Sequence, residues 1–145
     1  MRITISATGI DKTINDLTNL VKQFGDHTDF LRSVVVPLLK RDFREVFASR
    51  GYGTWRPNAP STVRDKGHGR VLIRTGAYRR ASINLRGLRI RRNEVEVTSS
   101  IEYARYHEFG TRNTPKREVF KLVSDRIRER LPDAYRAYQK RRQLQ

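Results

Sequence analysis

Two apolar stripes at helical spacing dictate most of what this chain can become. From Thr28 onward, Phe30, Leu31, Val34, Val35, Leu38, Phe43, Val46 and Phe47 form one wide face of a helix that Gly51 ends. Pro37 lies inside this helix and removes a backbone donor, so a kink or two shorter helices are expected there. Toward the C-terminus, Phe120, Val123, Ile127 and Leu131 recur at three- and four-residue spacing, with Val119 and Leu122 widening the stripe. Arg117, Lys121 and Arg128 run along its opposite side. Pro132 is expected to kink or break this helix, leaving a basic tail over 132–145 that frays or is ordered by a partner.

The remaining periodicity is that of strands and turns. Ile3, Ile5 and Ala7 alternate with polar residues, which predicts a short half-buried strand. Asp11 can cap a helix with apolar positions Ile14, Leu17, Leu20, Val21 and Phe24, ended by Gly25. Residues 51–70 contain four glycines and two prolines with little periodicity, a long loop with one helical turn near Ser61–Arg64. Trp55, the only tryptophan, implies that this loop is ordered against something. Thr75 is placed to cap a short helix running to about Ser82. Residues 83–98 read as a β-hairpin. Ile83 and Leu85 share a face, Gly87 slips the phase as a bulge does, and Leu88 and Ile90 resume it. Arg91–Asn93 turn, and Val95 and Val97 complete the second strand. On the polar face Arg86, Arg89 and Arg91 meet Glu94 and Glu96 across the hairpin. The expected fold is α+β. A small antiparallel sheet, the N-terminal strand plus the hairpin, packs with an N-terminal helical segment and a long C-terminal helix. At 145 residues this makes a single domain over 1–145.

Charge narrows the function. The formal net charge is +16, and residues 64–92 carry ten Lys/Arg against Asp65 alone. Such a field attracts a polyanion or an acidic protein surface. The cations least compensated by neighbouring acids are Arg64, Lys66, Arg70, Arg74, Arg79 and Arg80; all but Arg74 are the DNA-facing candidates. A hydrophobic content of 37% is low for a compact monomer and points to burial against partners. No apolar run approaches the ~18 residues of a membrane span, and no signal-peptide core is expected at the N-terminus. The chain has no cysteine, hence no disulfide, thiolate nucleophile or Cys-based metal site.

Little in the sequence suggests catalysis. His107–Glu108 lacks the second His, four residues after the first, that a zincin helix needs, and the chain has only His27, His68 and His107. Adjacent helical side chains diverge by about 100°, so this pair does not converge on one substrate atom. The glycine pairs of GYG and GHG lack the Lys-Ser/Thr of a phosphate loop, and there is no carboxylate cluster for metal ions. No enzymatic activity, cofactor or metal is expected. YARYHEFG (103–110) instead reads as a short helix with Tyr103, Tyr106 and His107 on one face, Ala104 allowing close approach and Gly110 ending it. Rings with polar tips suit a packed corner that also faces a neighbour.

Trp55 and Thr62 in a basic loop, LIRTGAYRRAS at 72–82, a hairpin, YARYHEFGT at 103–111, and Pro115, Arg117 and Phe120 follow one another in the chain. Together they resemble the phage virion morphogenesis or tail-completion family, the head–tail connector (neck) proteins of tailed phages. The likeness spans about residues 30–125, and its specificity lies in RTG followed about 28 residues later by YA-x-x-H-x-FG. The chain departs from the family pattern at Tyr78, often Leu, and Glu108, often Gln; its Pro-x-Arg-x-Phe spacing is longer by one residue.

The resemblance implies a structural virion protein assembled in the host cytoplasm as a homo-oligomeric ring, expected to be a hexamer. That ring sits between head-closure or adaptor proteins and tail-terminator or tail-tube proteins. Genomic DNA passes through its lumen and no membrane is involved. The expected subunit or partner interface comprises Trp55, Arg74, Thr75, Gly76, Tyr103, Tyr106, His107, Phe109 and Gly110. A positive lumen lowers the cost of confining DNA without reading bases. The alternative, a free sequence-nonspecific nucleic-acid-binding protein, explains the charge. It leaves the RTG and YARYHEFG elements without a role, and no helix-turn-helix, zinc-finger or RNP signature supports it.

Overall fold

The computed structural model describes residues 2–6 and 26–145. The helix expected between Asp11 and Gly25, and Ala7 of the first strand, lie outside the described residues. The fold is α+β. Strand β1 (Arg2–Ser6), the long helix α1 over 28–48, and short helices α2 (Pro60–Lys66) and α3 (Ala77–Ile83) come first. Strands β2 (Leu88–Arg91) and β3 (Glu94–Thr98), the short helix α4 (Ala104–Phe109) and the long helix α5 (Phe120–Gln143) follow.

Helix α1 solves the Pro37 problem without breaking. It runs as α over Thr28–Phe30, widens to a π turn at Leu31–Val35, and resumes as α over Val36–Ala48 with the proline in its first turn, where a missing donor costs least. The wide turn also sets which residues face inward. Leu31, Val35, Leu39 and Phe43 are buried at a constant spacing of four, longer than the 3.6-residue α period, and Val34 and Leu38 are only partly buried. Just beyond α1, Gly51 adopts φ +66° and donates its N–H to the Val46 carbonyl at 2.7 Å. A Cβ at Gly51 would lie 2.3 Å from the Trp55 indole, so the residue is glycine for two independent reasons.

The sheet order is β1-β3-β2, antiparallel throughout. Ile3 stands opposite Val97, Arg89 opposite Glu96 and Arg91 opposite Glu94. Ile3, Val95 and Val97 bury the inner face, while Arg91 pairs with Glu94 at 3.6 Å and Arg2 with Glu96 at 3.4 Å on the outer one. The hairpin is shorter than residues 83–98. Ile83 closes α3, and buried Leu85 lies in a turn at φ +50° rather than in a strand. Gly87 is not a bulge. It sits where the chain returns to the end of β3, accepting from the Thr98 N–H at 3.2 Å, and a Cβ there would meet the Thr98 carbonyl oxygen at 2.0 Å.

Helix α5 runs through Pro132 to Gln143, so residues 132–143 are not a frayed tail. Tyr135 and Tyr138 pack on Phe30 at centroid distances of 5.0 and 5.3 Å, and the Tyr138 hydroxyl donates to the Asp29 carboxylate. Two buried tyrosines thus supply the anchoring that a proline-interrupted amphipathic pattern does not advertise. Farther along the same interface, fully buried Asp42 of α1 accepts from Arg130 of α5 at 2.5 Å, and Glu45 lies near Arg126 and Arg130. Burial pushes the Asp42 carboxyl upward against the pull of Arg130 and Arg41. Tyr135→Ala is expected to lower the unfolding free energy by about 3–5 kcal/mol in urea denaturation, whereas Arg136→Ala, on an exposed surface pair, changes it by less than about 0.5 kcal/mol.

Candidate functional site

The elements that the sequence singles out meet around one cleft of about 1350 Å³. Its walls come from four separated segments: residues 56–62 with Lys66 of α2, residues 72–78, the residues Tyr103, Tyr106 and His107, and residues 111–117. A run of aromatic contacts joins the segments to the core. Trp55 meets Phe47 of α1 edge-on at 5.7 Å, Phe47 meets Tyr78 at 5.6 Å, and Tyr78 contacts Tyr103 at 6.2 Å and stacks beside His107 at 6.3 Å.

Glu108 fixes the corner. Its carboxylate is buried at 4% exposure and accepts three backbone N–H groups at the start of α5: Val119 at 2.7 Å, Phe120 at 3.3 Å and Lys121 at 2.8 Å. These are donors that a helix N-terminus leaves unpaired, and a carboxylate there also complements the helix dipole. On the other side of α4, the His107 carbonyl accepts from the Arg117 N–H at 2.7 Å. The segment leading into α5 is therefore clamped to α4 from both sides.

Arg117 departs most from expectation. It precedes α5 instead of lining its polar face, and it is only 6% exposed. Its guanidinium donates to the carbonyls of Arg56 at 2.9 Å and Pro57 at 3.1 Å, tying the 56–57 wall to the 115–117 wall. Burial and the neighbouring Arg56 lower its pKa. Lys66 donates to the Arg70 carbonyl at 2.6 Å, and burial followed by the charges of Arg117 and Arg74 lowers its pKa. Burial, then Arg117 and Lys66, likewise lowers His107, which is neutral at pH 7. Burial pushes the Tyr78 phenol well up, and neither the Tyr78 hydroxyl nor His107 Nδ1 has a hydrogen-bond partner among the described residues.

Of the interface candidates, Arg74, Thr75, Gly76, Tyr103, Tyr106 and His107 line the cleft. The Thr75 hydroxyl accepts from the Ala77 N–H at 3.3 Å, while Gly76, at φ +78°, occupies the N-cap position of α3. Trp55 does not reach the surface. It is 5% exposed, with its indole N–H on the Glu118 carbonyl at 2.9 Å, so the loop is ordered by its own chain. Phe109 is no core residue: it is 72% exposed and points away from the ring contacts. Gly110 turns the chain at φ +72°, ψ 165° toward Lys116.

Among the DNA-facing candidates only Lys66 lies in the cleft; Arg64, Arg70, Arg79 and Arg80 are exposed outside it. Arg80 donates to the Thr75 carbonyl at 2.9 Å, and Asp65 is paired with Arg74 at 2.8 Å. The sequence reading passed over Arg56 and Pro57 and the roles of Tyr78 and Arg117. The signal for Arg117 was present in the Pro115, Arg117, Phe120 cluster, but an arginine beside a helix reads as solvated until its carbonyl partners are known. Among the described residues no group of His, Asp and Glu could hold a metal ion, and no helix is long and apolar enough to cross a membrane. No family model, curated protein or solved structure matches the chain.

Two measurements check this corner. Glu108→Ala strands buried N–H groups and is expected to cost about 2–3 kcal/mol of unfolding free energy, with Glu108→Gln losing less because one carbonyl oxygen still accepts. For His107 the folded-state pKa lies below the ordinary 6.5, so between the two values the unfolded chain binds more protons and stability rises with pH. The wild type is therefore expected to lose stability relative to His107→Gln as pH falls through 6.5. A difference that stays flat across this window contradicts the burial of the imidazole.

Proposed function

We propose that the chain is a non-enzymatic structural subunit of a phage-type head–tail junction. In this reading it assembles as a homo-oligomeric ring around a DNA channel, between head-closure and tail-terminator or tail-tube proteins. The observation that carries the reading is convergence. RTG and YARYHEFG, the two elements of the family resemblance, lie far apart in sequence and form facing parts of one cleft. Tyr106 on its rim, 44% exposed, and Phe109 beside it, 72% exposed, present apolar surface to solvent. A large side chain left outside, on a corner clamped by Glu108 and Arg117, suits a rigid surface that another subunit covers.

Exposed Arg64, Arg70, Arg79 and Arg80 fit a lumen that confines DNA through its phosphates, with weak, sequence-blind and salt-sensitive binding by a lone subunit. The same arginines support the second reading, a free sequence-nonspecific nucleic-acid-binding protein, which differs in predicting tight binding without self-assembly.

Light scattering on the purified chain distinguishes the two. Closed oligomers, or a concentration-dependent approach to them, are expected from the wild type. Phe109→Ser is expected to shift the population to monomer by about tenfold in association constant while leaving the melting temperature unchanged, since the residue lies outside the core. A wild type that stays monomeric at all concentrations and holds DNA below about micromolar Kd near 0.15 M salt overturns the connector reading.

A further inference from the structure

We infer that the cleft between the RTG turn and α4 is a docking groove for an acidic extended polypeptide segment of another protein, one that alternates carboxylates with an aromatic or aliphatic side chain. The inference goes beyond the ring reading and does not depend on it, because it rests on the cleft alone. Among the described residues four cations line the cleft, Arg56, Lys66, Arg74 and Arg117, and no Asp or Glu does. Arg74 has Asp65 as a partner outside the lining, but Arg117 is buried with only neutral carbonyls around its guanidinium. Lys66 and His107 both feel Arg117 as a repulsive neighbour. Arg56, Lys66 and Arg117, brought together in a recess whose lining carries no acid among the described residues, form a standing potential for an anion, strengthened by the low-dielectric walls.

The shape selects among anions. A volume of about 1350 Å³ exceeds the ~300–1000 Å³ that encloses a small molecule, and it suits several consecutive residues. Duplex DNA carries its phosphates on a broad convex surface and does not enter a recess whose least exposed cation, Arg117, is 6% exposed. Single-stranded nucleic acid needs free ring faces on which bases stack. Here Tyr78 is 1% exposed and the Arg105 guanidinium lies over one face of Tyr106 at 5.0 Å, which leaves Tyr103 and the other face of Tyr106, at 45% and 44% exposure, as the stacking surface; an oligothymidylate that binds more tightly than the peptide decides for a single strand. The walls also offer apolar contact from Leu72, Pro57 and Pro115 beside the cations. Carboxylates spaced along a strand, with an apolar side chain between them, complement that pattern.

The test uses the full-length protein and fluorescence anisotropy with three labelled probes. One is a decapeptide alternating Glu and Gly with a central Phe, another is its Gln counterpart, and the third is a ten-nucleotide oligothymidylate. The acidic peptide is expected to bind saturably, and the Gln peptide at least about tenfold more weakly. The double variant Arg56→Gln with Lys66→Gln keeps the Arg56 carbonyl that Arg117 holds, so the fold is retained. It is expected to weaken the acidic peptide by about tenfold or more, with Arg79→Gln, outside the cleft, changing it less than about twofold. In amide NMR the shifts on adding the peptide are expected to map to residues 56–62, 72–78 and 103–117. No saturable peptide binding, equal losses from Arg79→Gln and the double variant, or tighter binding of the oligothymidylate overturns the proposal. Because none of these readouts requires self-association, a monomeric protein that still binds the peptide rejects the ring and keeps the groove.

Discussion

A buried carboxylate, Glu108, holds the start of α5 in place, and the position of Arg117 and of two walls of the cleft follows from it. Three N–H groups on one carboxylate determine both the direction in which α5 leaves and the position of the segment before it. Because the adjacent His107 carbonyl takes the Arg117 N–H, the guanidinium of Arg117 is delivered to the carbonyls of Arg56 and Pro57. One charge at a helix N-terminus thereby ties the 56–57 and 115–117 walls of the cleft to α4. In a chain with 37% hydrophobic residues, polar clamps of this kind carry work that a larger core would otherwise do.

The core beneath is economical in the same way. Helices α1 and α5 share one interface, apolar along most of its length, with the Asp42–Arg130 pair and the Phe30, Tyr135, Tyr138 cluster along it. Losing Arg130 leaves the fully buried Asp42 carboxyl without its nearest cation. The aromatic run from Trp55 through Phe47 to Tyr78 then couples this interface to the cleft floor. A site on loops is rigid here because its rings are rooted in α1.

Function in this reading is recognition. The described residues hold a positive recess, with the exposed Phe109 beside it and the exposed Arg64, Arg70, Arg79 and Arg80 outside its lining.

The sequence by itself determined the α+β class, the two long helices, and a hairpin that sets Arg89 and Arg91 against Glu94 and Glu96, because periodicity and alternation are local properties that burial enforces; the register, and the turn that takes Arg86, came from the fold. The sequence also put the rings of Tyr103 and His107 on one face, where they meet edge-on at 6.0 Å. Only the tertiary structure decided what those residues touch. Trp55 turned inward because Gly51 leaves room for its indole, Phe109 turned outward because Ala104 and Glu108 take the buried face of α4, and Pro132 was tolerated because Tyr135 and Tyr138 dock beyond it. Arg117 became a buried tie because its partners are carbonyls some sixty residues away, and no local pattern encodes a bond to a distant backbone.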